Sequence, residues 1–176
     1  KALEFYTDAV GPFSYEKLAN IQSNSVSGGM EAASAILYSE NSVVGDRNVR
    51  WRNVVIHEIA HQWFGNSVTE KDWDEVWLSE GFATYFTLLF IEHHYGRDEF
   101  VEGLRSSKRS VDAFHLKNPN YRLVHDNLKD MNDVTTSQIY QKGSWTLHML
   151  RGVVGTEHFW KGIRQYYRKY RDSHAT

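Results

Sequence analysis

The chain is expected to fold as an α+β domain that is predominantly helical, with a little strand near its start. Three observations predict this. Apolar residues recur at helical spacing through most of the sequence beyond residue 49. Only two prolines, Pro12 and Pro119, interrupt 176 residues, so long helices are permitted. The short β-like runs fall before residue 40. A composition that is 41% hydrophobic and 24% charged is ordinary for a globular domain, and a chain of this length forms one such unit, 1–176. It is long enough to bury roughly 70% of its unfolded surface.

Taken in order, residues 1–10 read as a helix closed by Gly11-Pro12. Residues 18–22 and 35–39 read as short strands, separated by a flexible turn around Ser27-Gly28-Gly29-Met30-Glu31. Residues 49–64 form an amphipathic helix, because Ile56, Ile59, Ala60, Trp63 and Phe64 fall at i, i+3, i+4, i+7 and i+8, and Gly65 is placed to end it. Residues 77–95 form a helix ended by Gly96. Its middle is apolar on nearly every side, the pattern of a buried helix. A further helix is expected over 98–113, then a polar loop over 115–135, then two helices near 136–153 and 156–171 separated by Gly155.

Bulk properties exclude several functions. Twenty basic and 22 acidic residues leave a net charge near −2, without the basic excess of a nucleic-acid binder. No apolar run approaches the roughly 18–20 residues of a membrane span, and a soluble protein is expected. No cysteine is present, which removes disulfides and thiolate ligands but leaves the compartment open between cytoplasm and periplasm or exterior. No signal peptide opens the chain, and the first residue is Lys1, so a fragment of a longer protein is expected.

The chemistry lies on the 49–64 helix. His57-Glu58-Ile59-Ala60-His61 is an H-E-x-x-H segment. Histidines four apart on a helix share a face and can hold one metal through their imidazoles. On a helical wheel His57, Glu58 and His61 adjoin the apolar stripe, so one side packs and the next lines a site. Glu80 follows on a helix that should be buried, where an ionised carboxylate is costly unless it meets a cation. Two histidines and one carboxylate leave a fourth position for water, the pattern of catalytic zinc. A carboxylate that merely complements the helix dipole is the alternative for Glu80.

His57 through Asn66 (HEIAHQWFGN) resembles the zinc helix of the M1 metallo-aminopeptidases, and Trp77 through Tyr85 (WLSEGFATY) is similar to that family's second zinc segment. Eighteen residues separate His61 from Glu80, the spacing that family uses. Gly28-Gly29-Met30-Glu31 resembles its exopeptidase motif, and Tyr140-Gln141-Lys142-Gly143 its Tyr-x-Lys-Gly segment. The four motifs stand in the family's order across residues 28–143.

The resemblance implies a thermolysin-like gluzincin catalytic domain, a small β-sheet followed by a helical bundle. It implies one zinc ion (Zn2+) per chain held by His57, His61 and Glu80, with Glu58 as general base and Tyr140 as hydrogen-bond donor to the oxyanion. It implies that Gly28, Gly29, Met30 and Glu31 bind peptide substrates with a free N-terminus. Glu31 would pair with the α-ammonium, and the glycines would admit the backbone close to substrate. It places an N-terminal β-rich domain and a C-terminal helical domain of the parent protein outside this chain. Ala32 departs from the family's usual Asn after the glutamate, with weaker substrate binding expected; Ser79 in place of Asn is expected to be minor. The other histidines, His93, His94, His115, His125, His148, His158 and His174, are read as structural or solvated. Glu75 is a candidate acceptor behind a metal-binding imidazole, and Arg105, Lys108 and Arg109 form a solvated face. The alternatives are an endopeptidase, a leukotriene-hydrolase-like epoxide hydrolase, and a zinc-free binding homologue.

Overall fold

The computed structural model describes residues 1–45, 48–124 and 136–176. Helix α1 (Ala2–Ala9) turns Ala2 and Tyr6 into the core. The chain that follows is pinned by two bonds, from Trp63 Nε1 to the Gly11 carbonyl at 2.8 Å and from the Tyr167 hydroxyl to the Pro12 carbonyl at 2.7 Å. A three-stranded sheet comes next. β1 (Ala19–Ser23) runs parallel to β3 (Ala35–Ser39), and β2 (Gly29–Met30) pairs antiparallel on the other side of β3. The glycine-rich segment expected as a turn is thus partly a sheet edge. Its register sets Gly29 opposite Tyr38 and Met30 opposite Leu37.

Helix α2 (Val49–His61) starts at Asn48, whose Oδ1 accepts from the Arg50 amide at 2.8 Å. It stops three residues before the apolar periodicity does. Gln62 to Phe64 turn away and lead to Gly65, which sits at φ +122°. β4 (Val68–Glu70) pairs in parallel with β5 (Ser173–Ala175), a ladder between chain segments a hundred residues apart that no local pattern announced.

Helix α3 (Trp77–Tyr95) is the axis of the domain and packs against α2, α4 and α5. Twelve of its residues are buried, as its all-round apolar character predicts. Gly96 at φ +103° ends it. Helix α4 (Arg97–Lys117) extends further than expected, and 115–117 are helical rather than loop. The physical stop is Pro119, which disfavours helical backbone only at Asn118. Within the expected 115–135 loop, residues 125–135, including His125, lie outside the described residues.

The next helix also differs from its expectation. A π-helical turn, Gln138–Lys142, precedes α5 (Gly143–Val154). Gly155 (φ +83°) separates α5 from α6 (Thr156–Tyr170), whose buried face is Phe159, Ile163 and Tyr167. The core is continuous from α1 through α2 and α3 to α6, and is unusually aromatic: Tyr6, Trp63, Phe64, Tyr85, Phe86 and Phe100 are almost wholly buried. No described helix is long and apolar enough to cross a membrane.

Candidate metal centre

His57 and His61 project from one face of α2 toward the first turn of α3, where Glu80 stands. The two Nε2 atoms are 2.9 Å apart, and Glu80 Oε2 lies 3.1 Å from that of His57 and 3.2 Å from that of His61. Tetrahedral ligands about 2.0–2.2 Å from one ion stand about 3.3–3.5 Å from one another, so the three atoms need only small adjustments to share a cation. Among the described residues this is the one group of three ligating side chains close enough to do so.

Electrostatics fit the same occupant. His61 is 1% exposed. Burial lowers its pKa, but the Glu80 carboxylate outweighs burial and raises it to about 9. Burial likewise pushes Glu80 up, and the facing imidazoles overturn this and hold it well below the usual carboxylate range. The cluster therefore favours one positive charge between these groups, a place a divalent ion fills. The tautomer is set as well. His61 Nδ1 is 3.0 Å from the Phe64 carbonyl, which can only accept, so Nδ1 keeps its proton and Nε2 is the nitrogen that gives up its own to an ion.

That carbonyl, rather than Glu75, braces the imidazole of His61. Ser79 joins it, with Oγ 3.3 Å from the same Nδ1. Ser79 stands one residue before Glu80 and faces His61. Gly65 is tied to both: a side chain there would come within 2.3 Å of Ser79 Oγ and 3.0 Å of His61 Nδ1.

Glu58 is buried beside the cluster but is not part of it. Burial raises its pKa, partly opposed by His57 and His61. The backbone of Gly29 lies directly against it; a Cβ at 29 would come within 2.2 Å of Glu58 Oε1. Gly28, in contrast, faces open space. The two glycines are therefore not equivalent, and the close approach at 29 is to the buried carboxylate.

The segment carrying Glu31 is fastened to the C-terminal end of α2 by two residues that the sequence showed only as part of a motif. Gln62, wholly buried, donates from Nε2 to the Glu31 carbonyl at 3.0 Å and accepts at Oε1 from the Ser34 amide at 2.9 Å. Asn66 Nδ2 donates to the same Glu31 carbonyl at 2.7 Å. Ala32 is exposed and adds no side-chain bond.

Tyr140 reaches the cluster from the π-helical turn, and its hydroxyl donates to Glu80 Oε1 at 2.9 Å. Burial and the Glu80 charge raise its pKa well above the ordinary phenol value, so it stays protonated and a donor. The approach is close because α3 and the start of α5 touch backbone to backbone: a Cβ on Gly81 would lie 2.8 Å from the Gly143 Cα. A cleft of about 940 Å³ is lined by Gly29, Met30, Glu31 and Glu58 together with the three ligating residues and Tyr140. Every sequence-derived site residue except Gly28 therefore lines one cavity.

Other expectations resolve simply. His148 accepts from or donates to the Tyr85 hydroxyl at 3.1 Å, and His93 packs on the Phe5 ring, both structural roles. Lys108 and Arg109 pair with Asp112 and Glu102 on the exposed face of α4. One residue was missed. Glu70, on β4, has a buried Oε2 without a hydrogen-bond partner among the described residues, and burial raises its pKa to about 7. It lines a smaller cavity of about 390 Å³ that also reaches Glu31 and Glu80.

This architecture, a helix-borne pair of imidazoles met by a carboxylate from a buried neighbouring helix, is that of a metallopeptidase domain, and the family profile described as the Peptidase family M1 domain matches residues 1–176. The chain belongs to that family. It is 32% identical over 197 residues to the probable aminopeptidase 1 of Saccharolobus solfataricus, covering 99% of this chain and 24% of that protein. It is 34% identical over 156 residues to the endoplasmic reticulum aminopeptidase 2 of Bos taurus, covering 82% and 16%. Among solved structures, an M1 zinc metallopeptidase mutant of Deinococcus radiodurans bound to a Tyr-Ser-Ala substrate superposes with a TM-score of 0.79 at 26% identity, over 99% of this chain and 37% of the other. The fold is shared with leukotriene A4 hydrolase of Saccharomyces cerevisiae, with a TM-score of 0.85 at 22% identity over 98% and 29%. The chain thus spans a quarter or less of the length of these curated relatives. Zinc is the cofactor that the family and its neighbours indicate.

Proposed function

We propose that residues 1–176 are the catalytic domain of a zinc aminopeptidase that removes single residues from the free N-terminus of peptides. The observation that carries this reading is the juxtaposition of the His57–His61–Glu80 cluster with Glu31 on the wall of the same cleft, its backbone carbonyl fastened by Gln62 and Asn66 just beyond α2.

His57, His61 and Glu80 would hold the ion. Zinc bound there supplies an acidified water and a Lewis acid for the scissile carbonyl. Glu58 takes the proton of the attacking water and passes it to the leaving amine; burial raises its proton affinity toward what that exchange needs. Tyr140 turns its hydroxyl from Glu80 to the carbonyl oxygen as charge develops there. Glu31 pairs with the substrate α-ammonium, and Gly29 and Met30 form the cleft wall beside it. An internal peptide bond has no ammonium to offer Glu31, which is the basis of single-residue removal.

The test is hydrolysis of aminoacyl-arylamides by the complete protein, with and without chelator, alongside metal analysis. Activity that is lost on chelation, restored by zinc and blocked by N-acetylation of the substrate is the expected result. Cleavage of N-acetylated peptides at internal bonds at equal rates would overturn the role of Glu31, and full activity in Glu58→Gln would overturn that of the base.

A further inference from the structure

The cleft continues well past the metal cluster, and its far end differs in charge. Along α2 its lining is Arg50, Asn53, Val54, His57, Glu58 and His61, the i, i+3, i+4, i+7, i+8, i+11 face of one helix. The direction of a bound peptide along this face follows from β2. Gly29 lies against Glu58 and the Glu31 carbonyl against Gln62, so β2 and this part of α2 advance together. A substrate ammonium at Glu31 therefore sits at the His61 end. The leaving part of the peptide must run the other way, past His57 toward Arg50.

Three carboxylates, Glu31, Glu58 and Glu80, crowd the His61 end. Arg50 is the one lysine or arginine among the lining residues. It is not held elsewhere in the way its neighbour is. Arg52, two residues on, is paired with Glu99 at 2.8 Å and lies over the Tyr95 ring. Arg50 is exposed, rests on the ring of Trp51 at 4.8 Å, and has no ion-pair partner among the described residues. Asn48 caps the amide of Arg50 itself, which fixes where the side chain leaves the helix.

We infer that Arg50 binds a carboxylate of the substrate's leaving portion, making short peptides with a free carboxyl end a favoured substrate class. This rests on the aminopeptidase reading of the same cleft. Arg50 lies seven residues before His57 and eleven before His61, about 10.5 Å and about 16.5 Å along the helix axis, and its long side chain lines the same cleft. An extended chain covers about 3.3–3.6 Å per residue, so the carboxyl end of a tripeptide or tetrapeptide arrives within reach while its ammonium stays at Glu31. A guanidinium suits that group because it can donate two parallel bonds to one carboxylate. An acidic side chain at the second or third position presents the same chemistry.

Binding, rather than turnover, tests this. The complete zinc-loaded protein carrying Glu58→Gln is titrated calorimetrically with Ala-Ala-Ala, its C-terminal amide, and the amide of Ala-Ala-Glu. The free acid should bind about fivefold to tenfold tighter than its amide. Adding Arg50→Gln should erase that difference, and Arg50→Lys should keep part of it, with zinc content and melting temperature unchanged. Recovery of affinity by the Ala-Ala-Glu amide would support a carboxylate site fed by a side chain. Equal affinity for acid and both amides, or a preference that survives Arg50→Gln, overturns the assignment. The aminopeptidase reading fails separately, through absence of arylamide hydrolysis by the unsubstituted protein.

Discussion

Gly29→Ala is the sharpest probe of how the sheet edge and the zinc helix fit together. An added methyl would lie 2.2 Å from Glu58 Oε1 and 2.4 Å from both Cδ and Cγ. Relief to an ordinary contact requires a movement of about 1 Å or more. Glu58 is only 6% exposed and has little room to retreat, so either its carboxylate shifts relative to the metal cluster or β2 lifts and carries Glu31 with it. A misplacement of about 1 Å costs on the order of 100-fold in rate, and the overpacking itself about 1–3 kcal/mol of stability. The assay is kcat/KM on an aminoacyl-arylamide, with zinc content and thermal melting measured on the same preparations. A fall of about 100-fold in kcat/KM with zinc retained is expected. The companion double variant shows which carboxylate matters. If the clash acts through Glu58, adding Gly29→Ala to Glu58→Gln costs almost nothing further, because the group it displaces is already disabled. Activity within threefold of the unsubstituted protein, or a second full loss in the double variant, would refute the reasoning.

Gln62→Leu removes both bonds that the buried amide makes to the Glu31 segment while keeping its bulk; KM for arylamides should rise by about tenfold with zinc unchanged, and an unaltered KM would show that Asn66 suffices. Ser34 is a non-glycine residue at φ +62°, so Ser34→Gly should stabilise the domain by about 0.5–1 kcal/mol in urea unfolding; a loss of stability would mean that the serine side chain compensates for its backbone. Glu70 has its folded pKa raised to about 7 from 4.5. The folded state therefore holds its proton where the unfolded state has released it, and the stability this contributes is present below about pH 4.5 and lost as pH rises to about 7. Glu70→Gln should flatten that loss, by about 1–2 kcal/mol after discounting for partial solvent access; parallel melting curves for the two proteins between pH 4 and 8 would contradict it.

Much of the architecture was readable before any coordinates, for particular reasons. The bounds of α3 agree with the expectation because Trp77 to Tyr95 is apolar all round and a glycine ends it, two local signals that coincide. Helix α2 and its paired histidines follow from the 3.6-residue period. The β4–β5 ladder was invisible because it joins residues 68–70 to 173–175, and three-residue strands carry no pattern of their own. The π-helical turn at 138–142 is not distinguished from ordinary helix by the sequence, whose spacing is helical; in the fold the turn packs against α3 and α4.

The amino-acid order alone determined that His57 and His61 lie side by side, since imidazoles four apart on an amphipathic helix must share a face whatever surrounds them. It could not determine distances between segments. That Glu80 comes within 3.2 Å of both imidazoles, that Tyr140 reaches it across a Gly81–Gly143 contact, and that Gln62 and Asn66 tie Glu31 to the zinc helix are products of packing. Helical periodicity is a property of consecutive residues, whereas convergence depends on how buried faces from distant parts of the chain fit together. Only the folded tertiary structure resolves that fit.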